Sequence, residues 1–280
     1  MIGADPTSRQ QEMVLEPTSG WTHLGLSDVW AHRELLYFLV WRDVKVRYKQ
    51  TVFGVAWVVL QPALLVLVFS LSLGRLGGVG PQGVSYPLFV LCGLVPWTLF
   101  SQGLSAAAGS LVGGESLITK VYFPRLLLPI AAAGSHLVDV VITLALLGVA
   151  VASSGAAFSG NVVWLPVLTL IAFSSALGIG TFLAAANVRF RDVRYVVPFL
   201  LQIWFFATPV IYSSSLLPTE LRGVFALNPM SGVVMGFQWA VFGGPEPEGD
   251  MLRSAVISIV VLVVGFASFR RSERTFADIV

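Results

Sequence analysis

The sequence predicts an all-α integral membrane protein with six transmembrane helices. Three observations carry that prediction. Of 280 residues, 56% are apolar and only 11% are charged, with a mean hydropathy of +0.82. A soluble domain carries roughly 25% charged residues, enough to cover its surface. The charges are also absent in blocks: no Asp, Glu, Lys or Arg occurs over 51–74, 76–114, 140–188, 196–219 or 223–245. Finally, runs such as LLVLVFSLSL and VVITLALLGVAV lack the period-two polarity of a membrane barrel strand.

The same composition excludes several classes. A net charge of +2 is close to balance and gives no footprint for nucleic acid. One cysteine, Cys92, allows neither a disulfide framework nor a cysteine-based metal site. There is no GxxxxGK[ST], HExxH, DxxD or GxSxG, so neither catalytic residues nor a metal site nor a cofactor is expected in this chain.

Residues 1–29 are polar and carry Asp5, Glu12, Glu16 and Asp28. They lack the apolar core of a cleavable leader and read as a mobile cytoplasmic tail. Residues 30–50 read as an amphipathic interface helix. Trp30, Tyr37, Trp41, Val44 and Tyr48 fall on one apolar stripe, while Arg42, Lys45 and Lys49 lie on another face. Asp43 and Arg47 stand at the spacing of a helical ion pair. Aromatic and basic residues together suit the lipid headgroup layer. The helix therefore reads either as a plain anchor or as a contact for an anionic lipid or a cytoplasmic partner.

A spanning helix needs about 20 apolar residues. Six stretches qualify, at about 53–73, 88–112, 126–153, 162–187, 195–212 and 252–269. Pro62 and Pro96 should kink the first two. Between the second and third, Gly113-Gly114 breaks the helix, and 115–123 can form a short helix ending before Pro124. The third span holds His136 and Asp139 at i and i+3, with Thr143 one turn on. Intramembrane acids are functional suspects; the alternatives are a local pair and a proton relay. The Ala, Gly and Ser of the third and fourth spans suit close helix packing. The loop NVRFRDVRYV places Arg189, Arg191 and Arg194 where the fourth span ends, and arginine binds phosphate through a planar fork. Aromatic clusters at Trp97 and Phe100, at Trp204, Phe205 and Phe206, and at Phe237 and Trp239 read first as interfacial belts and lipid-facing bulk, with a pore lining as the alternative.

A seventh apolar stretch, 224–242, is settled by parity. With six spans, the basic residues of 33–49, Lys120, Arg125, the arginines of 189–194 and the tail Arg270, Arg271 and Arg274 all fall on one side. Only Arg75, Arg222 and Arg253 fall on the other. The positive-inside rule then puts both termini in the cytoplasm. Residues 216–243, broken by Pro218, Gly223, Asn228-Pro229 and Gly243-Gly244, become a re-entrant helical hairpin on the outer side between the fifth and sixth spans.

The runs WRDVKVRYKQTVFGVAWVVLQP (41–62), YPLFVLCGLVPWTLFSQGLSAAAGSLV (86–112), LITKVYFPRLLLP (117–129), NVRFRDV (187–193) and FFATPVIYS (205–213) resemble the permease subunit of ABC-2-type polysaccharide exporters of the O-antigen and teichoic-acid type. The resemblance runs in order from about residue 30 to the end, so 30–280 is expected to be one transmembrane domain. It implies a multi-pass protein of the cytoplasmic (inner) membrane. Its expected partners are a second permease in a homodimer, two ATP-binding-cassette subunits that bind ATP and Mg, membrane lipid and an undecaprenyl-type lipid-linked glycan. It implies coupling to the ATPase through Glu115, Leu117, Lys120, Tyr122 and Phe123. It assigns Arg42, Lys45, Arg47, Lys49, Arg189, Arg191 and Arg194 to the lipid pyrophosphate or the interface. Spans one and five would approach the dimer axis, which makes Trp57, Gln61, Trp204, Phe205 and Phe206 channel-lining candidates. An ABC-2 exporter of small lipophilic compounds shares this topology; the amphipathic helix and the WRDVKVRYKQ motif weigh against it.

Overall fold

The structure, a computed structural model, describes residues 26–49, 54–74, 83–118, 120, 123–156, 158–190, 192–216 and 218–279. Residues 1–25 of the tail expected over 1–29, Tyr122 and Arg191 lie outside them, and 26–29 of that tail are helical. Every regular element among the described residues is helical. In order these are α1 (Leu26–Ala31), α2 (Arg33–Lys49), α3 (Ala56–Ser72), α4 (Tyr86–Gly113), α5 (Glu115–Ile118), α6 (Leu127–Gly134), α7 (Leu137–Ser153), α8 (Leu165–Arg189), α9 (Val193–Phe206), α10 (Thr219–Ala226), α11 (Pro229–Phe242) and α12 (Glu248–Ile279).

Among the described residues four segments are long and apolar enough to cross a bilayer: Tyr86–Gly113, Leu127–Ser153, Gly160–Arg189 and Gly249–Glu273. Two apolar helices are shorter, Ala56–Ser72 and Val193–Phe206. The fifth expected span was drawn to residue 212, but α9 stops at Phe206 and a turn follows. Pro209 explains the stop, because proline disfavours helix in the residue before it and removes a backbone donor. In the other direction, α12 runs ten residues past the expected end and carries Arg270 and Arg271 as helix. The expected interface helix is divided into α1 and α2 by a turn at His32. Of the expected short helix of 115–123, the described residues hold one turn, Glu115–Ile118; 119, 121 and 122 lie outside them.

Helix α4 is the centre of the bundle; its buried side chains face all directions, from Phe89 and Leu91 to Trp97, Phe100 and Leu104. Apolar burial gains little when the surrounding solvent is itself hydrocarbon, so close approach and interhelical hydrogen bonds matter more. Helix α8 supplies both. A Cβ placed on Gly180 would meet the Ala107 Cβ of α4 at 2.6 Å, and one on Gly178 would meet the Leu262 backbone of α12 at 2.6 Å. From α12, a Cβ on Gly265 would meet the Gly178 carbonyl oxygen at 2.0 Å. Across the same contacts Asn187 Nδ2 donates to the Ala108 carbonyl at 3.0 Å, and the hydroxyls of Ser175 and Ser258 meet at 2.6 Å.

A second, smaller apolar core lies at one end of the bundle. There Leu39 of α2 meets Leu111, Phe123, Leu127, Phe266 and Phe269. At this end Arg270 Nη2 of α12 pairs with Asp28 Oδ2 of α1 at 2.5 Å, and Arg125 donates from Nη1 to the Glu273 carbonyl at 3.1 Å. The first described helix and the C-terminal half of α12 therefore share one end, here the basic end. Helices α10 and α11, with the first turns of α12, occupy the opposite end.

Most of the aromatic residues read as belts face inward; Phe206, at 55% exposure, does not. Trp97 and Phe100 are buried and form a chain with α9 and α3. Ring centroids are 5.0 Å apart for Phe100–Trp204, 5.5 Å for Trp97–Phe205 and 5.8 Å for Phe69–Phe205. Phe237 and Trp239 are buried as well. Composition marks such residues as amphipathic and bulky, but which way they face depends on the neighbouring helix, and α4 is wrapped on all sides.

Candidate functional site

The most concentrated polar chemistry lies where α2 meets the start of α7. Leu39 and Val44 bury the inner face of α2 against α6 and its neighbours, and this carries Arg47 and Tyr48 to the top of α7. Trp30, Tyr37 and Trp41 point outward at 72%, 64% and 47% exposure. The stripe read in the sequence is therefore split: Trp30, Tyr37 and Trp41 face away from the protein, as an interfacial helix requires, whereas Val44 and Tyr48 turn toward it and Leu39 joins them in the contact.

Asp139 is buried and surrounded by donors. Arg47 Nη1 approaches Asp139 Oδ2 at 2.7 Å, His136 Nδ1 approaches the same oxygen at 2.8 Å, and the Tyr48 hydroxyl donates to Oδ1. Arg47 Nη2 also donates to Ser135 Oγ at 2.9 Å and lies 3.0 Å from His136 Nε2. With its proton on Nδ1, His136 donates to Asp139 and accepts at Nε2 from Arg47, whose Nη1 also lies 3.0 Å from Nδ1. Burial, and then the hydrogen bond to Asp139, push the Tyr48 phenol well above its ordinary value, so it stays a donor. The expected Asp43–Arg47 pair is redirected. Asp43 is held by Arg42 at 2.9 Å, while Arg47 turns inward. A carboxylate away from water gains more from a cation than an exposed one does, which decides the competition.

A cavity of about 210 Å³ opens beside this cluster, lined by Arg47, Tyr48, His136 and Asp139 together with Trp57, Gln61, Thr98, Gln102 and Thr143. It unites Arg47, Trp57 and Gln61, which the sequence assigned to two different roles. Gly54 lines it too and has φ of +45°, a left-handed turn that admits the chain into α3 without a side chain. The other channel candidates sit elsewhere. Trp204 and Phe205 belong to the aromatic chain, and Phe206 is 55% exposed on α9.

The remaining basic candidates are on the surface. Arg42, Lys45, Lys49, Arg189 and Arg194 are exposed or carry exposed charge, with Lys45 over the Trp41 ring and Arg194 over the Tyr195 ring. Of the coupling candidates, Glu115 and Lys120 are exposed and Leu117 is half-buried. Phe123 is 6% exposed and packs in the core of the basic end. It anchors the loop, and the exposed Glu115 and Lys120 are the parts of it a partner can reach.

Two positions were not read in the sequence as contacts between helices. Ser135 completes the arginine's donor set, and Asn228 ties α11 to α9. Asn228 accepts from the Trp204 indole at 2.9 Å and from its own cap position Met230 N at 2.9 Å, while donating to the Ala207 carbonyl at 2.9 Å. The Asn-Pro pair read as a helix breaker; its further signal was an amide at a helix start, the position that caps.

The model of the family described as ABC-2 type transporter matches residues 34–242. The chain is 33% identical over 255 residues to the O-antigen export system permease protein RfbA of Myxococcus xanthus, covering 90% of this chain and 97% of that protein. It is 24% identical over 247 residues to the protein of the same name from Klebsiella pneumoniae, covering 88% and 95%. It is also 24% identical over 234 residues to the polysialic acid transport protein KpsM of Escherichia coli, covering 83% and 91%.

Proposed function

The chain belongs to the ABC-2 type transporter family, and we propose that it is the permease subunit of an ATP-driven polysaccharide exporter. The observation that carries this reading is its near-complete colinearity with proteins named for O-antigen export and polysialic acid transport. The relatives are aligned over almost their whole length, so the similarity covers the transport unit and not a shared fragment.

In this reading the basic end faces the cytoplasm. The membrane is crossed by α3, α4, α6–α7, α8, α9 and α12, and α10–α11 form a hairpin on the outer side. Two exposed apolar helix faces support a homodimer: Leu60, Leu64, Leu67 and Leu71 on α3, and Val196, Phe199 and Ile203 on α9. The substrate is a glycan on a polyprenyl pyrophosphate lipid. Exposed Arg42, Lys45, Lys49, Arg189 and Arg194 attract the pyrophosphate through long-range field and forked hydrogen bonds. Arg47 acts differently. Held by Asp139, it fixes α2 to α7, so a movement of the interface helix is passed directly to the third membrane segment. Glu115 and Lys120 meet the ATP-binding subunit, which holds ATP and Mg and closes when ATP binds.

Deleting the gene tests the reading. A lipid-linked glycan should accumulate inside the cell and disappear from the surface, and the wild-type gene should restore export. Normal surface glycan in the deletion strain overturns it.

A further inference from the structure

Helix α12 runs unbroken for 32 residues, about 48 Å, from the hairpin end of the bundle to the basic end. It contains no proline, and its one glycine beyond the first turn, Gly265, is clamped against the Gly178 carbonyl of α8. Nothing along it supplies a hinge. At the hairpin end, Ser254 accepts from the Gly232 backbone N–H at 3.1 Å, and a Cβ on Gly232 would meet the Asp250 carbonyl oxygen at 2.1 Å. The backbones of α11 and α12 touch there, so the start of α12 and the hairpin shift together.

At the basic end, α12 is gripped by the loop that leads from α5 to α6. The Arg125 backbone N–H donates to Glu273 Oε1 at 3.3 Å, and Arg125 Nη1 donates to the Glu273 carbonyl at 3.1 Å. The clasp is reciprocal: the backbone of each residue meets the side chain of the other. One turn earlier, Arg270 stands 3.9 Å from the second Glu273 carboxylate oxygen and holds Asp28 of α1 at 2.5 Å. Beneath the clasp, Phe123 shares an apolar core with Phe266 and Phe269.

This loop starts from the turn that carries the exposed Glu115 and Lys120. The chain joins it to α4 and α6, and the clasp joins it to α12 as well. Apolar side chains in contact tolerate sliding along the helix axis. A reciprocal pair of directional hydrogen bonds fixes the register between loop and helix. Movement imposed on the loop from the cytoplasm is therefore delivered to α12, and a helix without a hinge delivers it to the far end.

We propose that Glu273 is a positioning residue for export: through Arg125 it makes α12 follow the loop beside the ATP-binding subunit, and α12 carries that movement to the hairpin of α10 and α11. The proposal rests on the export function above. It is tested on the full permease with its ATP-binding partner, both purified in nanodiscs and in the complemented deletion strain. Glu273→Ala combined with Arg125→Ala opens the clasp, whereas Glu273→Gln keeps a side-chain oxygen to accept from the Arg125 N–H. The double variant should export about ten-fold less surface glycan for the ATP its purified complex hydrolyses, the effect of a charge-assisted hydrogen bond lost from the coupled state. Glu273→Gln should stay within about two-fold of the wild type. Both should keep the wild-type yield of co-purified ATP-binding subunit and a melting temperature within a few degrees. A non-hydrolysable ATP analogue should change hydrogen exchange over residues 229–254 in the wild type and in Glu273→Gln, but not in the double variant.

Wild-type export per ATP in the double variant overturns the proposal. So does a lower yield of the ATP-binding subunit, which would place the clasp in docking, or an equal loss in Glu273→Gln, which would tie the effect to charge alone. A hairpin that still responds to nucleotide in the double variant takes α12 out of the path. A deletion strain that accumulates no lipid-linked glycan removes the functional reading and this proposal with it; accumulation together with a fully coupled double variant removes this proposal alone.

Discussion

Arg47 and Asp139, 92 residues apart in sequence, are joined at 2.7 Å and tie the interface helix to the first turn of α7. The pair is not isolated, since His136, Tyr48 and Ser135 share its remaining donors and acceptors. The pair thus sits in a hydrogen-bonded network, which is the condition under which a buried ion pair holds together.

Removing one partner should therefore be costly. Asp139→Ala leaves an uncompensated guanidinium and should destabilise the protein by about 2–4 kcal/mol. Arg47→Leu with Asp139→Leu should recover much of that loss. A double-mutant cycle on thermal unfolding in detergent measures the coupling, expected at roughly 1–3 kcal/mol because the two residues touch. A coupling near zero would mean that α2 is held by its apolar face alone.

Tyr48 gives the cluster an alkaline limit. Its phenol is raised above the ordinary value of about 10 by burial and by the Asp139 carboxylate, so the folded state holds this proton more tightly than the unfolded chain. Stability from that difference is fully present below the unfolded value of about 10 and is lost as pH climbs toward the folded one. The melting temperature of the wild type should fall more steeply than that of Tyr48→Phe above about pH 10. Parallel curves for the two proteins would remove Tyr48 as the source.

The sequence carried the class of fold and the positions of the elements, because blocks of missing charge and breaker residues are local signals. Asp139 and His136 also stood out, as ionisable groups inside an apolar run. Their partner could not be read. Arg47 stood one turn from Asp43, and local spacing favours that neighbour; only the docking of α2 on α6 brings Asp139 within reach. The aromatic residues failed for the same reason. Trp97 and Phe100 match a belt by composition, and only the wrapping of α4 by α3 and α9 puts them inside. Gly178 and Gly265 were legible as small residues but not as each other's contact, since nothing in one segment marks which distant segment it meets.

That contact yields a sharp prediction. Gly265→Ala places a methyl group against the Gly178 carbonyl, where the nearest approach is 2.0 Å and the opposing atom is backbone. The two helices must separate, with a loss of roughly 3 kcal/mol or more, at the upper end of overpacking effects. Gly109 in α4 has open space around the same position, so Gly109→Ala should be neutral or should stabilise by about 0.5–1 kcal/mol through helix propensity. Unfolding of both variants in one detergent gives the comparison. Similar stabilities would show that α8 and α12 slide freely.

The basic residues of α2 fall into two groups that mutation should separate. Lys45 and Lys49 are exposed, while Arg47 turns inward to Asp139. Surface charge changes seldom alter stability by more than about 0.5 kcal/mol. Lys45→Glu with Lys49→Glu should thus melt like the wild type yet lower export about ten-fold or more, by repelling the pyrophosphate headgroup. Arg47→Gln should lower export and melting temperature together, because it loosens the helix that presents the lysines. Lys120→Glu should leave melting unchanged and reduce co-purification of the ATP-binding subunit. Export assays, melting curves and pull-down yields on the three variants form one matrix. If the double lysine variant exports normally, lipid attraction by this face is wrong, and α2 serves the permease only through its tie to α7.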